Sequence, residues 1–242
     1  MNYIGHLAFG IKALNILKKH NPSINEETFL TGCLAPDIAR TDAFPKSVTH
    51  FRDNSPNLYK SPDLDKFLNK YGDRLHEDFV LGYYCHLYAD KVFTDIFLFE
   101  AVTPLDKNYN PTCLQEKSVY IKNRKTNDIV DIRDKAKSTH LYSDYLKTTD
   151  FVGSYFNVPY KINFFVGNPN MDEIDYLKLG SMQDICSKYY NENTESIFSG
   201  DSETKFLDLD NYIRFISDQS ENFANEVSNI FSISTSDFKS II

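Results

Sequence analysis

One segment, from Leu75 to about Glu100, constrains the fold of this chain more than any other. Aromatic residues recur in it at steps of three and four, the spacing that places side chains on one face of a helix. That face consists of Phe79, Tyr83, His86, Asp90, Phe93 and Phe97. The segment therefore predicts a long helix with a buried aromatic face that two polar residues interrupt.

The N-terminal segments also have helical patterns. Apolar residues recur at helical spacing over Tyr3–Lys19, before an Asn-Pro pair ends the pattern. A second helix is predicted to end at Ala35, because Pro36 has no amide donor and disfavours the helical conformation in the residue before it. Asp37 is therefore expected on a turn.

Two stretches lack helical periodicity. Residues 41–62 are rich in Pro, Ser, Asn and Asp, and they are predicted to form a loop that carries His50 in a Thr-His-Phe triplet. Residues 104–138 contain VYIKN and DIVDI on either side of the turn-prone RKTN, which indicates a short hairpin or an irregular excursion.

Helical patterns resume after that excursion, in HLYSDYLKTTDFVGSYF, DEIDYLKLGSMQDICSKYY and LDLDNYIRFISDQSENFANEVSNIF. Nine Gly and nine Pro in 242 residues are few for a many-turned β protein. We therefore expect an all-α, multi-helical fold, organised as a single domain over residues 1–242, with the excursion around residues 104–138.

Charge and cysteine usage narrow the classes of function. The formal charge of −8 argues against stable nucleic-acid binding, which draws on clustered Lys and Arg. The four cysteines form no CxxC pair, which indicates neither a thiolate zinc site nor a disulfide framework, and a reducing compartment fits. No signal peptide or membrane span is recognisable, so a cytoplasmic protein without a transmembrane segment is expected.

The two polar residues on the aromatic face, His86 and Asp90, carry the first indication of chemistry. Residues four apart stack on one side of a helix, so the imidazole and the carboxylate converge. A carboxylate carried into the interior needs a positive partner, because an unpaired buried charge costs several kcal/mol or shifts its pKa. For a lone HxxxD, a hydrogen-bonded pair that only holds neighbouring helices together is favoured over a metal site.

Further donors favour a metal ion as that partner. His6 lies on an apolar side of the first helix, while Asp37 and His50 lie on segments able to fold over it. Nitrogen and carboxylate donors without thiolates suit zinc, and also manganese or iron, and a shared Asp can bridge two ions. A second HxxxD, His140 with Asp144, could serve a further ion, although its polar flanks fit a solvated helix as well.

These elements and their order resemble the zinc-dependent phospholipase C family of hydrolases. That family combines an early helical His, a Pro-Asp turn, a Thr/Ser-His-Phe loop and a His-Leu-x-x-Asp helix. The matching segments here are IGHLAFG, GCLAPDIA, VTHF and LGYYCHLYAD, within residues 1 to about 100. The resemblance implies an all-helical fold of the phospholipase C and single-strand nuclease type, and phosphoester hydrolysis at a cluster of one to three zinc ions.

The resemblance also implies a ligand for each matching position. Asp37, His50, His86 and Asp90 would hold one ion, and Asp90 would bridge to another bound by His6. The pair His140 and Asp144 would hold a further ion. Secreted members of the family add a terminal Trp amine as a ligand, whereas this chain begins with Met-Asn and no such ligand is expected.

The predicted function is phosphoester hydrolysis by metal-activated water, on a small phosphoester or phospholipid-like substrate. Asp37 is the candidate general base, and the alternatives for it are a plain ligand and a turn residue that ends the helix. Arg40 and Arg52 follow Asp37 and His50 closely and could pair with a substrate phosphate, but a position on the solvated surface is favoured for both. HD-type phosphohydrolases do not fit, because the sequence contains no His-Asp dipeptide. A non-catalytic metal-stabilised helical protein and a metal-free interaction module remain the rival functions.

Overall fold

The computed structural model describes residues 1–52, 55–133, 140–159, 162–165, 167–182, 184, 204 and 207–239. Within them the chain is mostly helical. The helices are α1 (Tyr3–His20), α2 (Glu26–Ile38), α3 (Lys46–Thr49), α4 (Leu64–Tyr71), α5 (Asp78–Val92), α6 (Phe99–Ala101), α7 (His140–Tyr155) and α8 (Leu209–Lys239). A π-helical segment, Phe93–Leu98, joins α5 to α6, and 3-10 turns lie at Gly72–Arg74 and Tyr176–Ser181.

Three of the helices begin at a polar residue that caps them. The side-chain oxygens of Asn2, Asn25 and Asp63 accept hydrogen bonds from backbone amides in the first turns of α1, α2 and α4. Such caps satisfy amides that have no partner within the helix. None of the helices in the described part of the chain combines the length and the apolar character needed to cross a membrane.

The tightest packing in the fold is the crossing of α2 and α5. A Cβ added at Gly32 would collide with the carbonyl oxygen of Phe79, and one at Gly82 would collide with that of Phe29. The two backbones therefore touch without intervening side chains. Helix α1 packs on α2 and on α8, so α1, α2 and α5 bound one common interior.

Replacing Gly82 with alanine is expected to lower the free energy of unfolding by about 2 kcal/mol or more, because the added methyl forces two backbones apart. Gly72→Ala is the control, since its Cβ would find only the Cβ of Leu68, at 3.9 Å. Chemical denaturation of both variants measures the difference. Equal stability of the two would contradict the close crossing.

The excursion after α6 forms a three-stranded antiparallel sheet in the order β1-β2-β3. The strands are β1 (Val102–Leu105), β2 (Tyr120–Asn123) and β3 (Ile129–Asp131). Pairing of Tyr120 with Asp131 and of Lys122 with Ile129 confirms the predicted hairpin. The first strand was not predicted, because VTPL contains a proline and is only four residues long.

The prediction that the second helix ends at Ala35 is wrong. Helix α2 runs through Pro36 to Ile38, and the amide of Ala39 still donates to the carbonyl of Ala35 at 2.9 Å. The proline removes one hydrogen bond, but the last turns of α2 are buried, and this packing outweighs the local preference. Asp37 therefore lies on the last turn of a helix rather than on a free turn.

Other boundaries also differ from the predictions. The loop predicted over residues 41–62 contains the short helix α3, and α4 follows where no helix was expected. The helix predicted from Leu75 begins at Asp78 and changes to π-helical geometry at Phe93. The helix predicted from residue 172 begins instead as a turn and a 3-10 helix, with α-helical geometry at Met182 and Asp184, and residues 183 and 185–190 lie outside the described residues.

Candidate metal centre

Five buried side chains with nitrogen or oxygen donors converge in the interior bounded by α1, α2 and α5. They are His6 on α1, Asp37 on α2, His50 directly after α3, and His86 and Asp90 on α5. Donor atoms of His6, His86 and Asp90 lie within 4.8 Å of one another, and so do those of Asp37, His50 and His86. We call these five residues the His/Asp cluster.

Asp90 presents its two oxygens to different sides of the cluster. Oδ1 lies 2.6 Å from the amino group of Met1 and 3.3 Å from Nε2 of His6. Oδ2 lies 3.5 Å from Nε2 of His50 and 3.7 Å from Nη2 of Arg52. The carboxylate is thus placed between His6 and His50, although no amine contact was expected from the sequence.

Asp37 closes the cluster from α2. Its Oδ1 lies 3.4 Å from Nε2 of His50 and 3.4 Å from Nζ of Lys46, and its Oδ2 lies 3.9 Å from Nε2 of His6. The side chain is 7 % exposed, whereas those of the three histidines are 0 % exposed. Asp37 is therefore the member of the cluster nearest to solvent.

The ring of His86 is oriented by the backbone of α2. Its Nδ1 lies 2.7 Å from the carbonyl oxygen of Cys33, to which it donates a hydrogen bond. With the proton on Nδ1, the lone pair of Nε2 points into the cluster, 3.2 Å from Nε2 of His50. A carbonyl that fixes the tautomer of a histidine in this way is the usual outer contact of a metal ligand.

His50 is held by its neighbour in sequence. Its Nδ1 lies 2.8 Å from the hydroxyl oxygen of Thr49, and the hydroxyl of Tyr83 donates to the carbonyl oxygen of Thr49. Phe51 follows with a positive φ of 52°, so the chain turns sharply directly after the histidine. The Thr-His-Phe triplet that stood out in the sequence is therefore fixed by α5.

His6 carries the clearest sign of a missing partner. Its ring stacks on that of His86, with centroids 3.7 Å apart and planes 11° apart. Both ring nitrogens are buried, and neither makes a hydrogen bond with any of the described residues. Buried polar atoms are nearly always paired, and Nε2 lies 3.3 Å from Oδ1 of Asp90 without a hydrogen bond, so an ion between these two residues would supply a partner.

Burial controls the protonation of the three histidines. It lowers the pKa of His6 to about 3, with a further contribution from His86 and the amino terminus. It also lowers the pKa of His50 to about 3, although Asp37 acts in the opposite direction. The pKa of His86 is lowered by the same cause. The imidazoles are therefore neutral at neutral pH, the form that binds metals.

The two carboxylates stay ionised. Burial acts to raise the pKa of Asp37, but its contact with His50 and the charge of Lys46 hold that pKa well below its usual value. Burial also opposes ionisation of Asp90, but the amino terminus and His6 hold its pKa well below the usual range. Three neutral imidazoles and two carboxylates form a donor set that fits zinc, manganese or iron.

In the second HxxxD pair, the side chain of His140 lies outside the described residues. Asp144 is buried on α7, and its Oδ2 accepts a hydrogen bond from the amide of Leu207 at 2.9 Å. It is not in either of the metal-capable groups found among the described side chains. Its proposed role as a ligand stays a prediction.

The sequence did not predict that Arg52 and Lys46 approach the carboxylates of the cluster. Arg52 was expected on the solvated surface, but its side chain is only 20 % exposed and approaches Asp90. Lys46 had no assigned role, and its Nζ lies 3.4 Å from Asp37. The sequence feature that could have indicated these positions is proximity, since Lys46 and Arg52 lie within four residues of His50. Arg40 lies at the edge, as expected, with its side chain 39 % exposed.

Comparison of this chain with protein-family models, with curated proteins and with solved structures finds no match in any of the three.

Proposed function

We propose that this protein is a metal-dependent phosphoester hydrolase of the phospholipase C type, with its ions held by the His/Asp cluster. The observation that carries the proposal is the convergence of five buried nitrogen and oxygen donors from separate segments of the chain. The order of the motifs in the sequence supports it. The substrate class, a small phosphoester or phospholipid-like molecule, and zinc as the preferred ion are parts of the same proposal.

The geometry supports a shared role for Asp90. Its Oδ2 faces His50, and its Oδ1 faces His6. In the proposed site, Asp37, His50, His86 and Asp90 would hold one ion, and Asp90 and His6 would contribute to a second. A carboxylate that offers one oxygen to each side is the usual bridge between two ions.

Each residue then has a defined part in the reaction. A divalent ion supplies Lewis acidity, which activates water and polarises a phosphoryl oxygen. Cys33 and Thr49 hold the rings of His86 and His50 in place. Asp37 is the member of the cluster nearest to solvent, where a general base has to act, but its low pKa makes it a weak base and favours the ligand role.

A second candidate function is a non-catalytic protein in which the ion only stabilises the fold. The burial of the cluster favours it, because the three histidine side chains are 0 % exposed. A structural site has all its positions filled by side chains, whereas a catalytic site keeps one open.

Elemental analysis of the purified protein and turnover of bis(p-nitrophenyl) phosphate together test these functions. We expect bound divalent metal and turnover that a chelator abolishes. His86→Ala should lose the metal and the turnover, because His86 belongs to both sets of three donors whose atoms lie within 4.8 Å of one another. His76→Ala, at an exposed position, should keep both properties.

The other outcomes select between the candidates. Bound metal whose removal lowers the melting temperature, without turnover of any phosphoester, would favour the stabilising ion. A wild-type protein that is folded and free of metal after incubation with zinc, manganese or iron would overturn both functions.

A further inference from the structure

Basic groups outnumber the carboxylates at the His/Asp cluster. Nζ of Lys46 and Nη2 of Arg40 lie 3.4 and 4.0 Å from Oδ1 of Asp37. The amino group of Met1 and the guanidinium of Arg52 approach Asp90 at 2.6 and 3.7 Å. Four positive groups thus face two carboxylates, before any divalent ion is counted.

Arg52 has binding capacity that the described contacts do not use. Its Nε is buried and has no hydrogen-bond partner among the described residues. Its Nη2 lies 3.7 Å from Oδ2 of Asp90, which is longer than a hydrogen bond. A guanidinium carries five N–H donors in a planar fork, which matches the oxygens of a phosphoryl group. The buried donor therefore calls for an acceptor that enters from outside.

Lys46 and Arg40 mark the side from which that acceptor enters. Their side chains are 37 % and 39 % exposed, and both approach Asp37, the member of the cluster nearest to solvent. Nε of Arg40 donates to the carbonyl oxygen of Asp37 at 2.7 Å, which holds this arginine at the edge. An anion that enters beside Asp37 meets these charges first.

The charge balance indicates the class of ligand. The two positive groups that lie largely out of solvent, the amino group of Met1 and the guanidinium of Arg52, are already balanced by the two carboxylates. A bound divalent ion would therefore leave an excess of buried positive charge, which an anion can neutralise, since unpaired buried charge is costly. A phosphoryl group supplies both the negative charge and several acceptor oxygens, whereas an uncharged ester or an amide supplies no charge.

We infer that Arg52, together with Lys46 and Arg40, forms a phosphoryl-binding subsite at the edge of the His/Asp cluster. Its ligand is the charged phosphate group of an ester substrate, and inorganic phosphate as product. The inference rests on the proposed function, which it deepens by assigning the residues that bind the non-bridging oxygens. In this subsite Arg52, whose side chain is 20 % exposed, is the inner anchor, and the more exposed Lys46 and Arg40 form the entrance.

Calorimetric titration of the metal-loaded protein with inorganic phosphate tests the subsite without requiring turnover. We expect saturable binding to wild type, and affinity lower by about tenfold or more in Arg52→Met, because a charge-assisted hydrogen bond is lost. Lys46→Met, at a partly exposed position, should weaken binding several-fold, and it provides a second test if Arg52→Met does not fold. Arg52→Lys should restore part of the affinity.

Arg214→Met is the matched control, since Arg214 is exposed on α8, and its phosphate affinity should equal that of wild type. Metal content is measured on every variant. Unchanged phosphate affinity in folded, metal-loaded Arg52→Met and Lys46→Met would overturn the subsite, as would a metal-loaded wild type that binds no phosphate. Loss of metal in Arg52→Met, with wild-type affinity in the fraction that remains loaded, would also overturn it, because Arg52 would then only position Asp90.

The two proposals fail in different ways. Phosphate binding that depends on Arg52, in a protein that turns over no phosphoester, would support the subsite and overturn the hydrolase. Turnover that survives Arg52→Met with unchanged KM would support the hydrolase and overturn the subsite.

Discussion

Replacing Asp90 with asparagine is expected to abolish metal binding and to lower the free energy of unfolding of the metal-free protein by about 3 to 5 kcal/mol. The carboxylate lies 2.6 Å from the amino group of Met1 and 3.7 Å from Arg52, and its side chain is 4 % exposed. The neutral amide leaves both positive groups in a buried site without their counter-charge. It also removes the anionic donor that the proposed two ions share.

Asp95→Asn is the control for this prediction. Asp95 lies near the end of the same helical run, and its side chain is 42 % exposed and paired with Lys91 at 2.8 Å. A surface pair of this kind contributes about 1 kcal/mol or less. Chemical denaturation in the presence of a chelator measures stability, and elemental analysis measures metal. A fully stable, metal-loaded Asp90→Asn would remove the basis of the proposed centre.

The sequence indicated the part of the site that lies on one helix. His86 and Asp90 are four residues apart within an aromatic face, and this spacing places both side chains on the same side of the helix, whichever element packs there. The burial of the carboxylate follows from the same pattern. The helical class of the fold and the hairpin within residues 104–138 were also predictable, because each depends on local patterns.

Features that depend on contacts distant in the sequence were not predictable. Pro36 indicated the end of a helix, but packing in the interior continues α2 to Asp37. The hydrogen bond from His86 to the carbonyl of Cys33 depends on the close crossing of α2 and α5 at Gly32 and Gly82. No periodic pattern in the sequence indicates this crossing.

The position of Arg52 was missed for a related reason. A charged residue in a polar loop is usually solvated, and only the turn after Phe51, together with the buried Asp90, brings the guanidinium inward. The ligands were thus recognisable from motifs, whereas the groups that balance their charge were not.

Acid is expected to unfold the metal-free protein, with a steep loss of stability below about pH 6.5. The pKa values of His6 and His50 are about 3 in the folded protein, against an ordinary value of 6.5. Between these values the unfolded chain binds protons that the folded protein does not, so stability falls as the pH falls. Each histidine contributes a slope of about 1.4 kcal/mol per pH unit, and above about pH 6.5 the slope from these groups vanishes.

The carboxylates extend the loss of folding stability to lower pH. The pKa values of Asp37 and Asp90 are held below the ordinary value of 3.8, so their contribution is present above that value and disappears as the pH falls further. Their effect therefore adds to that of the histidines only at the acidic end.

Urea denaturation in chelator, at intervals from about pH 8 to about pH 4, measures this dependence. His6→Gln should reduce the slope below pH 6.5 by the share of one histidine, about 1.4 kcal/mol per pH unit. His76→Gln, at an exposed position outside the cluster, is the control and should keep the slope of wild type. Equal slopes for wild type and His6→Gln would mean that His6 is accessible to protons in the folded protein. The buried, unpaired imidazole that makes the cluster a metal site would then be absent.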